Sequence, residues 1–216
     1  MVHSMRILKG ILAFSMVLCL TGCGNQAQKY HQYVKGNLDA VYLGEYTDYN
    51  QAMDTEDAEA EKIHEQSVDN YKGRFETLLG LYISTEEQAE RLRNVVSKVC
   101  ACAKYEVSEA YKESGDYFVD VVVYPMDYEV HVVSRCRELM EEASENLKSG
   151  IYGTEEEYQQ AYTEHALDAM EEYADKIGYQ EEEKFSLKIK FNNHSFYIDD
   201  DDFLEVSDYI FATPVE

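Results

Sequence analysis

The chain has 216 residues, with 43 acidic against 19 basic side chains and a formal net charge of −24. Such a surface repels phosphate backbones, which argues against nucleic acid as a partner, and it favours cationic peptides and basic protein patches. At 45 % hydrophobic residues the chain has enough apolar matter to fill a core.

Chain order begins with an export signal. Arg6 and Lys9 precede an apolar run, Ile11 to Leu20, which is too short for the ~20 residues that span a bilayer. Leu20-Thr21-Gly22-Cys23 then reads as a lipobox. Thr21 and Gly22 are small enough for a lipoprotein signal peptidase, with Leu20 completing its recognition sequence, and Cys23 supplies the thiol that takes a diacylglyceryl group. Residues 1–22 are therefore expected to leave as a signal peptide, 23–29 to form a lipidated tether, and 30–212 to fold as a single extracellular domain. Two acyl chains hold a protein stably at a membrane. With a mature charge near −26, contact with anionic head groups is expected through the lipid alone.

Tyr30, Val34, Leu38, Val41 and Tyr42 recur at helical spacing, interrupted by Gly36 and Gly44; Asp48 to Asp57 reads as a loop. Val68, Tyr71, Phe75, Leu78 and Tyr82 predict a long amphipathic helix from Ala58. Ser84 and Glu87 form a capping box that opens a helix reaching about Ala103. Alternation over Lys104–Lys112 and Asp116–Tyr124 about Ser114-Gly115 predicts a hairpin. A helix over Val130–Leu147 follows, then a second capping box at Thr154 and Glu157 with its helix. A second hairpin comes next: Phe185, Leu187, Ile189 and Phe191 alternate with polar residues, and Asn192-Asn193 turns the chain into Ser195–Ile198. A short helix through Phe203, Val206 and Ile210 closes the chain.

A capped helix leading into a hairpin thus occurs twice, at 84–124 and 154–199. The predicted class is α+β: a four-stranded antiparallel sheet from two helix–hairpin units, packed with about six helices.

Several segments carry a resemblance: the lipobox, Leu38-Asp39-Ala40-Val41-Tyr42-Leu43-Gly44-Glu45-Tyr46, Ala103-Lys104-Tyr105-Glu106-Val107 entering a hairpin, and the last strand followed by an Asp-capped helix. In these, over most of the mature length, the chain resembles small acidic lipoproteins of Gram-positive, mostly anaerobic, clostridia-like bacteria that carry an extracellular domain of unknown function. The resemblance implies a cell-surface lipoprotein and no particular activity.

Candidate sites are few. Glu61 and His64 make an E-x-x-H step that suits a carboxylate metal site, though such sites need a matching pair from another helix. Glu164, His165 and Asp168 offer a weaker version of that pair. Asp199, Asp200 and Asp202 could attract calcium, but the spacing, central glycine and terminal glutamate of a calcium loop are missing, and helix capping explains them better. Of five cysteines, Cys100, Cys102 and Cys136 stay in the folded domain. Cys100 and Cys102 would point ~200° apart on a helix, so all three are expected as small core or near-core residues.

No cofactor motif and no catalytic residue is assigned. Among 19 tyrosines, Tyr30, Tyr33, Tyr46, Tyr49 and Tyr152 are the candidates for a binding surface. The expected function is a non-catalytic module at the cell surface that binds a ligand, a protein or a cationic peptide. The alternative is an extracytoplasmic hydrolase with an unrecognised active site.

Overall fold

A computed structural model describes residues 26–192 and 195–211. The predicted lipobox and part of the Asn192-Asn193 turn lie outside them. The chain is α+β, and its described residues group into two compact units, with the division falling inside a helix between Ser67 and Val68.

Unit 1 holds residues up to Ser67, Lys104–Tyr124 and Glu182–Ile210. Its sheet has the strands β1 (Lys104–Val107), β2 (Tyr111–Glu113), β3 (Asp116–Tyr124), β4 (Glu183–Asn192) and β5 (Ser195–Tyr197). The order is β1-β3-β4-β5, with β2 also paired to β3. The two predicted hairpins therefore join in one antiparallel sheet, along β3 and β4, with Val119 opposite Leu187 and Val121 opposite Phe185.

Strand alternation sends Val119, Val121, Val123, Leu187 and Ile189 into the core. Asp120 faces the other way, accepting hydrogen bonds from Tyr111 Oη at 2.9 Å and Ser186 Oγ at 2.7 Å and pairing with Lys184 at 2.6 Å. Ser114 and Gly115 both have positive φ, 53° and 100°, between the paired residues Glu113 and Asp116. These are the requirements of a two-residue type I′ hairpin turn.

Val107 pairs with Val121 and Tyr111 with Phe118, so four steps on one strand match three on the other. That extra residue is a β-bulge at 108–110.

Helices α1 (Gln26–Leu38) and α7 (Asp200–Ile210) pack against β3, burying Val34, Leu38, Phe203, Val206 and Ile210. A π-helical turn, Asp39–Leu43, continues α1 and ends at Gly44 with φ 66°. The segment read as a loop, 48–57, instead holds a short helix, α2 (Thr47–Met53), because Tyr49, Ala52 and Met53 have core to bury against.

Unit 2 is helical: α3 (Asp57–Leu79) from Val68 onward, α4 (Glu86–Cys100), α5 (Tyr128–Lys148) and α6 (Glu155–Ala174). The buried stripe of α3 is Val68, Tyr71, Phe75 and Leu79; Leu78 and Tyr82 are exposed, since the helix ends at Leu79 and Tyr82 lies beyond it. The capping box of α4 sits one residue later than predicted, with Thr85 as cap and Gln88 reaching back. At α6, Thr154 caps Glu157 as expected, but the Glu157 side chain accepts from Gly153 instead.

Arg91 on α4 bonds Glu164, Asp168 and Glu171, spaced along one face of α6. Buried Glu129 on α5 accepts from Arg74 on α3 at 2.8 Å.

Candidate functional site

One polar depression on unit 1 is bordered by the β-bulge at 108–110. Its volume is 480 Å³ and it is lined by Gln28, His31, Gln32, Asp48 and Glu109. Gln28, His31 and Gln32 come from the open face of α1, one turn apart or next to one another. Asp48 comes from the first turn of α2, and Glu109 from the β-bulge. Bulges re-aim side chains out of a regular ladder, which is what presents Glu109.

The bulge and α1 are tied together. His31 Nδ1 lies 2.9 Å from the Ser108 carbonyl oxygen. A carbonyl only accepts, so Nδ1 carries the proton and donates to Ser108. Ser108 Oγ in turn accepts from the Asp120 amide at 2.9 Å, fixing the bulge to β3.

Below the depression runs a charged relay. Lys35 pairs with both Asp39 and Asp48, the latter at 3.0 Å, and Tyr105 Oη donates to Asp39 at 2.7 Å. Burial works against the Lys35 ammonium, but its hydrogen bonds to Asp39 and Asp48 outweigh that and raise its pKa. Burial, followed by the charge of Asp39, pushes the Tyr105 phenol well above its ordinary range. Lys35 is thus held charged and Tyr105 held protonated, and both donate to the buried Asp39.

Chemically, the depression offers the Glu109 carboxylate, the Lys35-paired Asp48 carboxylate, an imidazole and two amides to solvent, with no hydroxyl or thiol among its lining side chains. That lining suits a cationic or multiply hydrogen-bonding ligand.

The sequence candidates fall elsewhere. Tyr30, Tyr33 and Tyr49 are core residues, 2 %, 8 % and 2 % exposed, because α1 and α2 turn those rings inward; they form no surface patch. Tyr46 and Tyr152 are half-buried in separate units. His64 Nδ1 lies 3.2 Å from the Val41 carbonyl, a group in the π turn, and its ring packs over Gly44; Glu61 is exposed one turn away. His64 therefore satisfies helix-end backbone. Asp199 pairs with Lys190, while Asp200 and Asp202 sit in the first turn of α7, where the helix dipole favours them. Glu164 and Asp168 are engaged by Arg91, and His165 lies 4.0 Å from Asp168. Among the described residues no group of three or more His, Cys, Asp or Glu is placed to hold a metal ion.

Cys100, Cys102 and Cys136 are free thiols in unit 2; Cys100 and Cys136 are buried and Cys102 is half-buried. Burial raises all three, Cys100 to about 12 and Cys136 to about 11, so the thiol form dominates at neutral pH.

Sequence reasoning passed over Lys35, Asp39, Asp48, Tyr105, His31 and Glu109. One signal was present: Asp39 interrupts an apolar stretch between Leu38 and Ala40-Val41, four residues after Lys35. A carboxylate on a buried helix face with a lysine one turn back announces a buried pair.

No family model and no curated protein matches the chain. The fold is similar to the crystal structure of "a putative lipoprotein (ycdA)" from Bacillus subtilis, with a TM-score of 0.58 and 16 % sequence identity. The match covers 87 % of this chain and 57 % of the Bacillus structure, so this chain matches little more than half of that protein's length.

Proposed function

We propose that the chain is a lipid-anchored, non-catalytic binding module on the outer face of a bacterial membrane, taking a cationic ligand in the depression of unit 1. The address rests on Leu20-Thr21-Gly22-Cys23 behind a signal-like run. The name of the Bacillus subtilis structure is in keeping with it. Among the described residues no helix is long and apolar enough to cross a membrane.

The observation that carries the binding reading is the pair of carboxylates, Asp48 and Glu109, held beside the oriented His31 ring at the mouth of one depression. The net charge of −24 would draw cations toward it over a longer range. The hydrolase alternative has less support, because the depression's lining carries no hydroxyl or thiol and the three thiols of the folded domain are held protonated.

Titration calorimetry with spermine and a short lysine-rich peptide tests the reading. The affinity should fall several-fold in an Asp48→Asn/Glu109→Gln double variant, and its salt dependence should weaken with it. Equal affinity in the double variant and the parent would remove the depression as the site.

A further inference from the structure

We infer that the end of unit 1 next to Cys23 is a membrane-contacting face, on which Phe191, Tyr117, Lys29 and Lys112 rest against phospholipid head groups beyond the acyl chains. The inference rests on the lipid-anchor reading above.

The argument starts from chain length. Gln26, the first residue of α1, follows Cys23 by three residues, a span of at most about 11 Å when fully extended. The first turn of α1 is therefore tied close to the bilayer surface.

Aromatic rings and lysines gather around that turn. Tyr117 Oη lies 3.5 Å from Gln26 Oε1, and Tyr30 packs edge-on against Tyr117, Phe191 and Phe196 at 4.9, 5.9 and 5.1 Å between ring centroids. Tyr30 and Phe196 are buried, whereas Phe191 is 55 % exposed. Phe191 follows Leu187 and Ile189 in the alternation of β4, so it continues the apolar face of the strand past the point where the unit covers it. A large apolar ring left open beside the anchor is placed to enter the head-group layer.

The charge points the same way. Lys29 Nζ lies 5.6 Å from the Phe196 ring centre and Lys112 Nζ 5.6 Å from that of Tyr117. Among the described residues neither lysine is paired with a carboxylate, in a chain whose acids outnumber its bases by 43 to 19. Ammonium groups resting over rings without a carboxylate partner suit a surface of lipid phosphates.

The chain has no tryptophan, so Phe191→Trp introduces a single reporter. The full lipidated protein carrying it would be reconstituted into phosphatidylcholine–phosphatidylglycerol vesicles with brominated acyl chains. Tyr124→Trp serves as the reference, being seven residues from Tyr117 along β3, roughly 23 Å in a strand. Emission from position 191 should be blue-shifted and quenched several-fold more strongly than from 124. A Lys29→Glu/Lys112→Glu background should reduce that quenching while the protein stays on the vesicles. Should Phe191→Trp disturb folding, Tyr117→Trp gives the same reading, since Tyr117 pairs with Ile189 and shares the sheet face of Phe191. Equal, weak quenching at both positions in vesicle-bound protein overturns the inference and leaves the anchor intact. Protein that fails to float with the vesicles overturns the anchor reading, and this inference with it.

Discussion

A β-carbon placed on Gly36 would stand 2.3 Å from the backbone nitrogen of Tyr49 and 2.6 Å from its Cα. Helices α1 and α2 therefore cross backbone against backbone, and only glycine allows that approach. The crossing brings Asp48 to Lys35 and so builds one wall of the depression. Gly36→Ala must push the helices apart, at a cost of about 1–3 kcal/mol for an overpacked contact. Urea denaturation should show the loss, and ligand affinity should fall with it. An unchanged midpoint would mean that the helices are not in contact there.

Alkaline pH should unfold the protein earlier than its net charge alone suggests. Burial raises Tyr33 and Tyr49 from 10.0 to about 12, and raises Tyr105 further. In the unfolded chain these phenols ionise first. Their contribution is thus complete below pH 10 and is lost as pH rises through the folded values, at up to about 1.4 kcal/mol per pH unit for each tyrosine. Denaturation midpoints followed above pH 10 should fall steeply, with tyrosinate absorbance rising in step with unfolding. Tyr105→Phe should make the fall shallower. A flat profile up to about pH 11.5 would contradict these assignments.

Arg91 is the hub of unit 2. Removing it leaves Glu164, Asp168 and Glu171 as like charges on one face of α6. The carboxylates are about half-exposed or more, so solvent screens much of the effect. Arg91→Gln should cost about 1–2 kcal/mol at low ionic strength, less in high salt, because the bonds are charge-assisted and multiple. Thermal melts at two salt concentrations check the sign: a deficit that grows with salt would exclude an electrostatic origin.

Much of the fold was legible in the chain. Strict alternation at Phe185–Phe191 and the Ser114-Gly115 turn are local signals, and local signals suffice for hairpins. The joining of the two hairpins followed from their both having one apolar face, Val119/Val121/Val123 and Leu187/Ile189, that only a shared sheet could bury economically.

What escaped was set by tertiary contact. α2 is seven residues long and polar in composition, and it is helical because Gly36 lets it seat against α1. Tyr33 and Tyr49 looked like surface anchors because neither falls on an apolar stripe visible in the sequence, whereas Tyr30 shares the stripe of Val34 and Leu38, which was a sign of burial. The depression combines three separated segments, so no spacing rule could have assembled His31, Asp48 and Glu109.

The proposed acyl anchor at Cys23 underlies both the proposed address and the inferred membrane-contacting face, and metabolic labelling with a clickable fatty acid tests it most directly. The account predicts that label enters the parent protein, that it is absent from Cys23→Ala, and that the variant leaves the membrane fraction. The physical reason is that two acyl chains would hold the protein at a membrane, while the net charge opposes adsorption to anionic lipids. Label persisting in Cys23→Ala, or a variant still firmly bound to membranes, would contradict it.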